Sequence, residues 1–206
     1  MELHEALTQI SEIRLQMART QVFRGYHSVP TAFSGALAMV AAGLQSHWIP
    51  DPVHSVPTYL TLWFVVASLS VIAAGVEMWV HCRRSTSALT REVSWLAVEQ
   101  FLPAVVAGGL LTYVLVSSAS ESVWLLPGLW QILFCLGVFA SCRLLPRAVF
   151  GVGVFYLISG ILSLIWARGD SALSPWAMGL PFGLGQIVAA AVLYWTLERK
   201  DVAKQN

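Results

Sequence analysis

The sequence predicts an all-α integral membrane protein, with six transmembrane helices that read as three hairpin repeats and an N-terminal cytoplasmic amphipathic helix ahead of them. Three observations predict it. Of 206 residues, 57% are hydrophobic and only 11% charged, where a soluble domain carries about 25% charged side chains, so the bilayer is the solvent. The apolar residues fall in six runs, each near the roughly 20 residues a helix needs to cross the hydrocarbon core. Of the 12 Lys and Arg residues, all but Arg168 stand on one side of the resulting topology. The 12 basic and 11 acidic side chains nearly cancel, which gives no reason to expect a nucleic-acid partner.

Residues 1–29 form the one sizeable stretch outside the membrane. They match neither a signal peptide nor a transit peptide, because the first apolar run begins only after Pro30 and no cleavage pattern follows, so they are expected to remain in the mature protein. Leu3, Leu7, Ile10, Ile13 and Met17 recur at helical spacing among polar residues, which predicts an amphipathic helix from about residue 3 to about residue 24. Glu2, Glu5 and Glu12 lead it and Arg14, Arg19 and Arg24 follow. That order complements the helix dipole and sets the cations against lipid headgroups. Two roles fit: a helix lying on the membrane surface, or a docking helix for a cytoplasmic protein partner or a second copy of the chain.

The spans follow at about 31–48, 58–80, 93–117, 123–142, 148–167 and 176–197, within a transmembrane domain of residues 30–198 and ahead of a short cytoplasmic tail, 199–206. In lipid such segments must be helices, since each backbone amide has to find its partner within the segment, and the alternation of a barrel is absent. Arg83, Arg84, Arg91, Arg143, Arg147, Arg199, Lys200 and Lys204 join the three arginines of the first helix on one side, which predicts cytoplasmic termini in a bacterial inner (plasma) membrane. Tryptophans gather where the interfaces should be. Trp48, Trp124, Trp166 and Trp176 stand at outer ends, and Trp79, Trp95 and Trp195 toward inner ends.

A weak internal repeat runs through the spans. Gly43, Gly109 and Gly160 each stand in the second half of an outgoing span, and each is followed 19 or 20 residues later by the first residue of Leu62-Trp63, Leu129-Trp130 or Leu180-Pro181 in a returning span. In span pattern alone, this plan resembles other small bacterial six-helix proteins made of Gly-centred hairpins, including the acid-resistance type. No motif is shared residue by residue, so the resemblance implies neither a function nor a site.

The best-placed candidate site is a polar pocket from Glu77 to Pro103. An ionisable group inside a span is costly unless paired or wet, and so marks a functional-site hypothesis. Glu77 lies six residues before Arg83 and Glu99 eight after Arg91, which places both carboxylates roughly 10 Å in from an arginine-bearing cytoplasmic loop, at about 1.5 Å per residue. His81 follows Glu77 by one helical turn and Gln100 adjoins Glu99. Pro103 clashes with the carbonyl four residues earlier, that of Glu99, which predicts a kink there. Paired carboxylates can share a proton or hold an ion or ligand. The alternative is that they bind the nearby arginines and fix helix register.

Gln131 and Gln186 lie mid-membrane, where an amide is expected to bond to its counterpart or to nearby backbone. Gly179, Pro181, Gly183 and Gly185 surround the second of these, and suit either a close helix-packing face or an interrupted helix. His47, Asp51 and His54 cluster in an outer loop without further ligands or a fixed spacing, so no metal is assigned. Cys82, Cys135 and Cys142 show no metal spacing and imply no disulfide framework. No nucleotide-binding Gly loop, nucleophile–base motif or HExxH is present, so no catalytic residue or cofactor is assigned and the chain leans away from an enzyme. Two functions stay open: a non-enzymatic sensor, scaffold or accessory subunit acting with a cytoplasmic partner, or a small transporter or channel for protons, cations or a small solute.

Overall fold

A computed structural model describes residues 28–84, 88–142 and 148–198, without the side chains at 81, 84, 88–94, 97, 170, 197 and 198. The expected amphipathic helix over residues 1–27, with Leu3, Leu7, Ile10, Ile13, Met17, Arg14, Arg19 and Arg24, and the tail 199–206 lie outside the described residues. Six long helices match the six expected spans: α1 (Ser28–Trp48), α2 (Val56–Arg84), α3 (Ala88–Ser118), α4 (Leu126–Ser141), α5 (Val149–Trp166) and α6 (Pro175–Leu193). A 3-10 stretch, Ser120–Leu125, leads into α4, another, Gly169–Ser171, precedes α6, and a π-helical turn, Tyr194–Glu198, continues α6. The described residues contain no strand. The chain is an all-α, multi-pass membrane protein.

Five segments are long and apolar enough to cross a bilayer: Val56–Val80, Val98–Ser118, Ser120–Ser141, Val149–Trp166 and Pro175–Thr196. The first helix is the more polar exception. Its 21 residues are long enough to span, but it carries Thr31, Ser34, Gln45 and Ser46, and three of its polar residues, Ser28, Thr31 and Gln45, are buried. At about 1.5 Å per residue, the 29 residues of α2 and the 31 of α3 outrun a hydrocarbon core roughly 30 Å thick. Arg83, Arg84 and Arg91, expected on a loop, therefore sit in helical turns beyond the apolar windows.

The helices pack in chain order into a ring, with α1 against both α2 and α6, α4 between α3 and α5, and α5 against α6. Three junctions join one hairpin to the next, and two of them are tight. At α6–α1, a Cβ on Gly179 would stand 2.3 Å from the Ala42 Cβ, and one on Gly35 would stand 2.9 Å from the Gly183 carbonyl oxygen. At α4–α5, Gly128 and Gly160 face one another, each Cβ position lying under 3 Å from the other's carbonyl oxygen. Between α2 and α3 the described residues touch little. Within their apolar windows only 17% of α2 and 11% of α3 is buried, against 44% for the α4 segment and 39% for the α6 segment, so these two helices form the loose edge of the ring.

Helix α6 runs unbroken through Pro181, and its Gly179 and Gly183 form the packing face for α1. The three glycines of the repeat do not share one packing role, since Gly43 and Gly109 meet open space where Gly160 meets Gly128. Gly160→Ala is accordingly expected to destabilise the protein by about 1–3 kcal/mol through overpacking. Gly43→Ala and Gly109→Ala should be neutral or gain up to about 1 kcal/mol from helix propensity. Reversible unfolding in mixed micelles reads the contrast.

Candidate functional site

Inside the ring, polar side chains connect helices at three equivalent places. Trp63 Nε1 donates to Gln45 Oε1 at 2.8 Å, across 18 residues of chain. Trp130 Nε1 donates to Thr112 Oγ1 at 2.9 Å, again across 18 residues. The corresponding partner of Ser163 would be position 181, also 18 residues on, but Pro181 has no donor there. Ser163 Oγ instead receives Gln131 Nε2 at 3.2 Å. These links give the hairpin repeat a physical content. In the first two hairpins the returning helix sends an indole N–H to a polar side chain of the outgoing helix; in the third, a neighbouring hairpin supplies the donor.

Two of these links extend further. Gln45, fully buried, donates its Nε2 to the Leu173 carbonyl at 2.8 Å. Leu173 adopts a left-handed backbone with φ 57°, a conformation that costs a non-glycine residue about 1–3 kcal/mol and persists only where its surroundings hold it. Its side chain is buried as well. Gln131, also fully buried, donates its Nε2 to the Ala177 carbonyl at 2.8 Å, while its Oε1 accepts no hydrogen bond. The Tyr59 hydroxyl is buried and unpartnered in the same way. Deeper toward the arginine-rich end, Phe134 meets Phe101, Tyr156 and Phe182 at centroid distances of 5.2, 4.7 and 5.5 Å. Four helices, α3 to α6, thus share one aromatic cluster.

Glu77 is half-buried and lies 14 residues after Trp63 and seven after Ser70, on the stripe of α2 that faces α1, where Ser34 Oγ donates to Ser70 Oγ at 3.0 Å. Glu99 is exposed. It precedes by two residues Phe101, which packs on Gly137 of α4, so it points about 200° away from α4 at 100° per residue. Gln100 is half-buried with an unpartnered Oε1. The His81 side chain is outside the description, and Arg83 lies over the Trp79 ring, 4.1 Å from its centroid. Helix α3 continues through Pro103, whose ring is exposed.

The two mid-membrane glutamines do not meet. Gln131 bonds to α5 and α6 as described, while Gln186 is half-buried beside Gly35 at the α1–α6 junction. In the loop after α1, Asp51 holds its own turn: His54 donates its backbone N–H to Asp51 Oδ1 at 3.3 Å, and its ring Nδ1 lies 2.8 Å from Oδ2. The backbone hydrogen bond from His54, then the ring contact, holds the Asp51 carboxyl below its ordinary value. No group of three ligands suited to a metal occurs among the described residues.

Of the seven tryptophans expected at the interfaces, Trp124 is half-buried beside Arg168, and the inward pair Trp63 and Trp130 is not among them. Trp48, Trp79, Trp95, Trp166, Trp176 and Trp195 are exposed at span ends, whereas Trp63 is buried and Trp130 is half-buried with its N–H satisfied inside the bundle. The signal that could have found them is the polar residue 18 positions earlier, which is one antiparallel step across a hairpin. Compared with known protein families, characterised proteins and solved structures, the chain matches none. Gln45→Leu and Trp63→Phe are each expected to cost about 1–2 kcal/mol, with the double variant falling short of the sum by about 0.5–1.5 kcal/mol. Trp95→Phe should stay within about 0.5 kcal/mol. Unfolding free energies of the four variants in detergent check both statements.

Proposed function

We propose that the chain is a non-enzymatic sensor, scaffold or accessory subunit of a bacterial inner membrane, with both termini cytoplasmic, which acts with a cytoplasmic partner. One observation carries this reading over a pore: Phe134 and its three aromatic neighbours fill the space shared by α3, α4, α5 and α6, at the level where a conduction path would have to pass. The loose α2–α3 edge offers a lateral and cytoplasmic face instead, with Glu99 exposed on it and Glu77 nearby on α2. The sequence of residues 1–27 supplies arginines, Arg14, Arg19 and Arg24, opposite in charge to these carboxylates. The test is co-purification from the native membrane with and without residues 1–24. A partner captured by the full chain and lost on truncation supports the reading; an unchanged set of partners sinks it.

A second reading, transport of protons, cations or a small solute, draws on the unpartnered Gln131 Oε1 and Tyr59 hydroxyl, which are buried acceptors suited to a passing polar species. It requires the aromatic cluster to part. In proteoliposomes, a transporter that uses the carboxylates should show flux reduced at least tenfold by Glu77→Gln or Glu99→Gln. Absence of flux in the wild type across protons, sodium and potassium would dismiss it for those ions.

A further inference from the structure

At the end of the bundle away from the arginine-rich turns, the loops after α1, α3 and α5 surround a cleft of about 420 Å³. Val53, Val56, Val123 and Leu173 give it apolar walls, and Glu121, Trp124 and Arg168 also line it. Its size falls in the lower part of the roughly 300–1,000 Å³ range of small-molecule sites. Arg168 is the one Lys or Arg at this end of the sequence topology. Its guanidinium lies 4.8 Å from the Trp124 ring centroid, and its Nε donates to the Leu164 carbonyl at 3.3 Å. A ring face and one carbonyl therefore hold the group in place while its terminal N–H groups have no acceptor among the described residues. Glu121 opens onto the same cleft, is exposed, and forms no ion pair with Arg168.

Two opposite charges on one small cleft, one of them braced by an aromatic ring and neither neutralising the other, form the two poles of a receptor. A fixed guanidinium suits a carboxylate or phosphate, which it can grip through two parallel N–H groups. A carboxylate suits an ammonium, and apolar walls between them suit the short methylene link that joins such groups. We propose that this cleft binds a small zwitterion, with its phosphate or carboxylate on Arg168 and its ammonium on Glu121. The chemistry is shared by a phospholipid headgroup such as phosphoethanolamine and by a free solute of the same kind. Leu173 lines the cleft and its carbonyl also accepts the Gln45 hydrogen bond, so the cleft adjoins the buried Gln45–Trp63 link.

The test uses the full chain in nanodiscs made either with phosphatidylethanolamine or with phosphatidylglycerol alone, titrated with phosphoethanolamine, with inorganic phosphate and with ethanolamine. Wild type should bind phosphoethanolamine saturably and at least tenfold more tightly than either half-probe. Arg168→Gln and Glu121→Gln, both at exposed positions, should each weaken it at least tenfold, and phosphate binding should respond to the first and not the second. Binding of the free probe only in phosphatidylglycerol discs, with phosphatidylethanolamine retained by wild type and lost from both variants in native mass spectrometry, identifies the headgroup as the occupant. Equal binding in both discs identifies a free solute. No saturable binding together with no preferential lipid retention, or affinities unchanged in both variants, overturns the proposal.

Discussion

Helices inside a bilayer gain no hydrophobic free energy by touching one another, because lipid tails are as apolar as the side chains they would replace. What remains is close van der Waals contact, which small residues permit, and hydrogen bonds between side chains that have no water to turn to. The ring depends on this constraint. Its tight junctions fall where Gly35, Gly179 and Gly183 let α1 and α6 approach, and where Gly128 meets Gly160. Its polar links fall where Gln45, Thr112 and Ser163 receive donors across the helices. Where α2 and α3 meet, the described residues touch little.

The same constraint explains how the first helix, which is not among the five strongly apolar segments, can carry buried hydroxyl and amide groups. Gln45 would be costly facing lipid, but it is fully buried with both ends of its amide bonded, so its polarity becomes a specification of neighbours. Helix α1 belongs in the membrane because α2, α6 and the turn at Leu173 have places for its polar and small residues. Hydropathy alone describes it poorly.

Much of this architecture was legible in the sequence. Span positions follow from backbone hydrogen bonding in lipid and agree within a few residues, apart from the helical turns that carry Arg83, Arg84 and Arg91 past the apolar windows. What the sequence does not encode locally is the choice of partner. Gly43 and Gly160 look alike as letters, yet one faces open space and the other a carbonyl oxygen, because a stripe of small residues gives no address for the helix it will meet. Position in the span predicts that Gln131 bonds to Gln186 or to nearby backbone; it reaches a backbone carbonyl, that of Ala177 on α6, and the Ser163 hydroxyl on α5, and which carbonyl it meets depends on which helices adjoin. The stretch from Glu77 to Pro103 was legible as a set of unusual residues. Its geometry was not, since the direction of Glu99 is set by where Phe101 finds Gly137 on α4.

The junction between α1 and α6 also bears on how the protein is made. A ribosome delivers α1 to the membrane well before α6, the neighbour it packs against most extensively, and Gln45 must wait for Leu173, 128 positions later, to bond its amide nitrogen. Through most of synthesis the Trp63 indole is the Gln45 partner already at hand, and with the Ser34–Ser70 hydrogen bond it links α1 to α2 while the rest of the ring is assembled. The order of translation and the order of packing are thus opposed in this chain. Helix α1 is in place long before the residues that complete the bonding of its Gln45 amide.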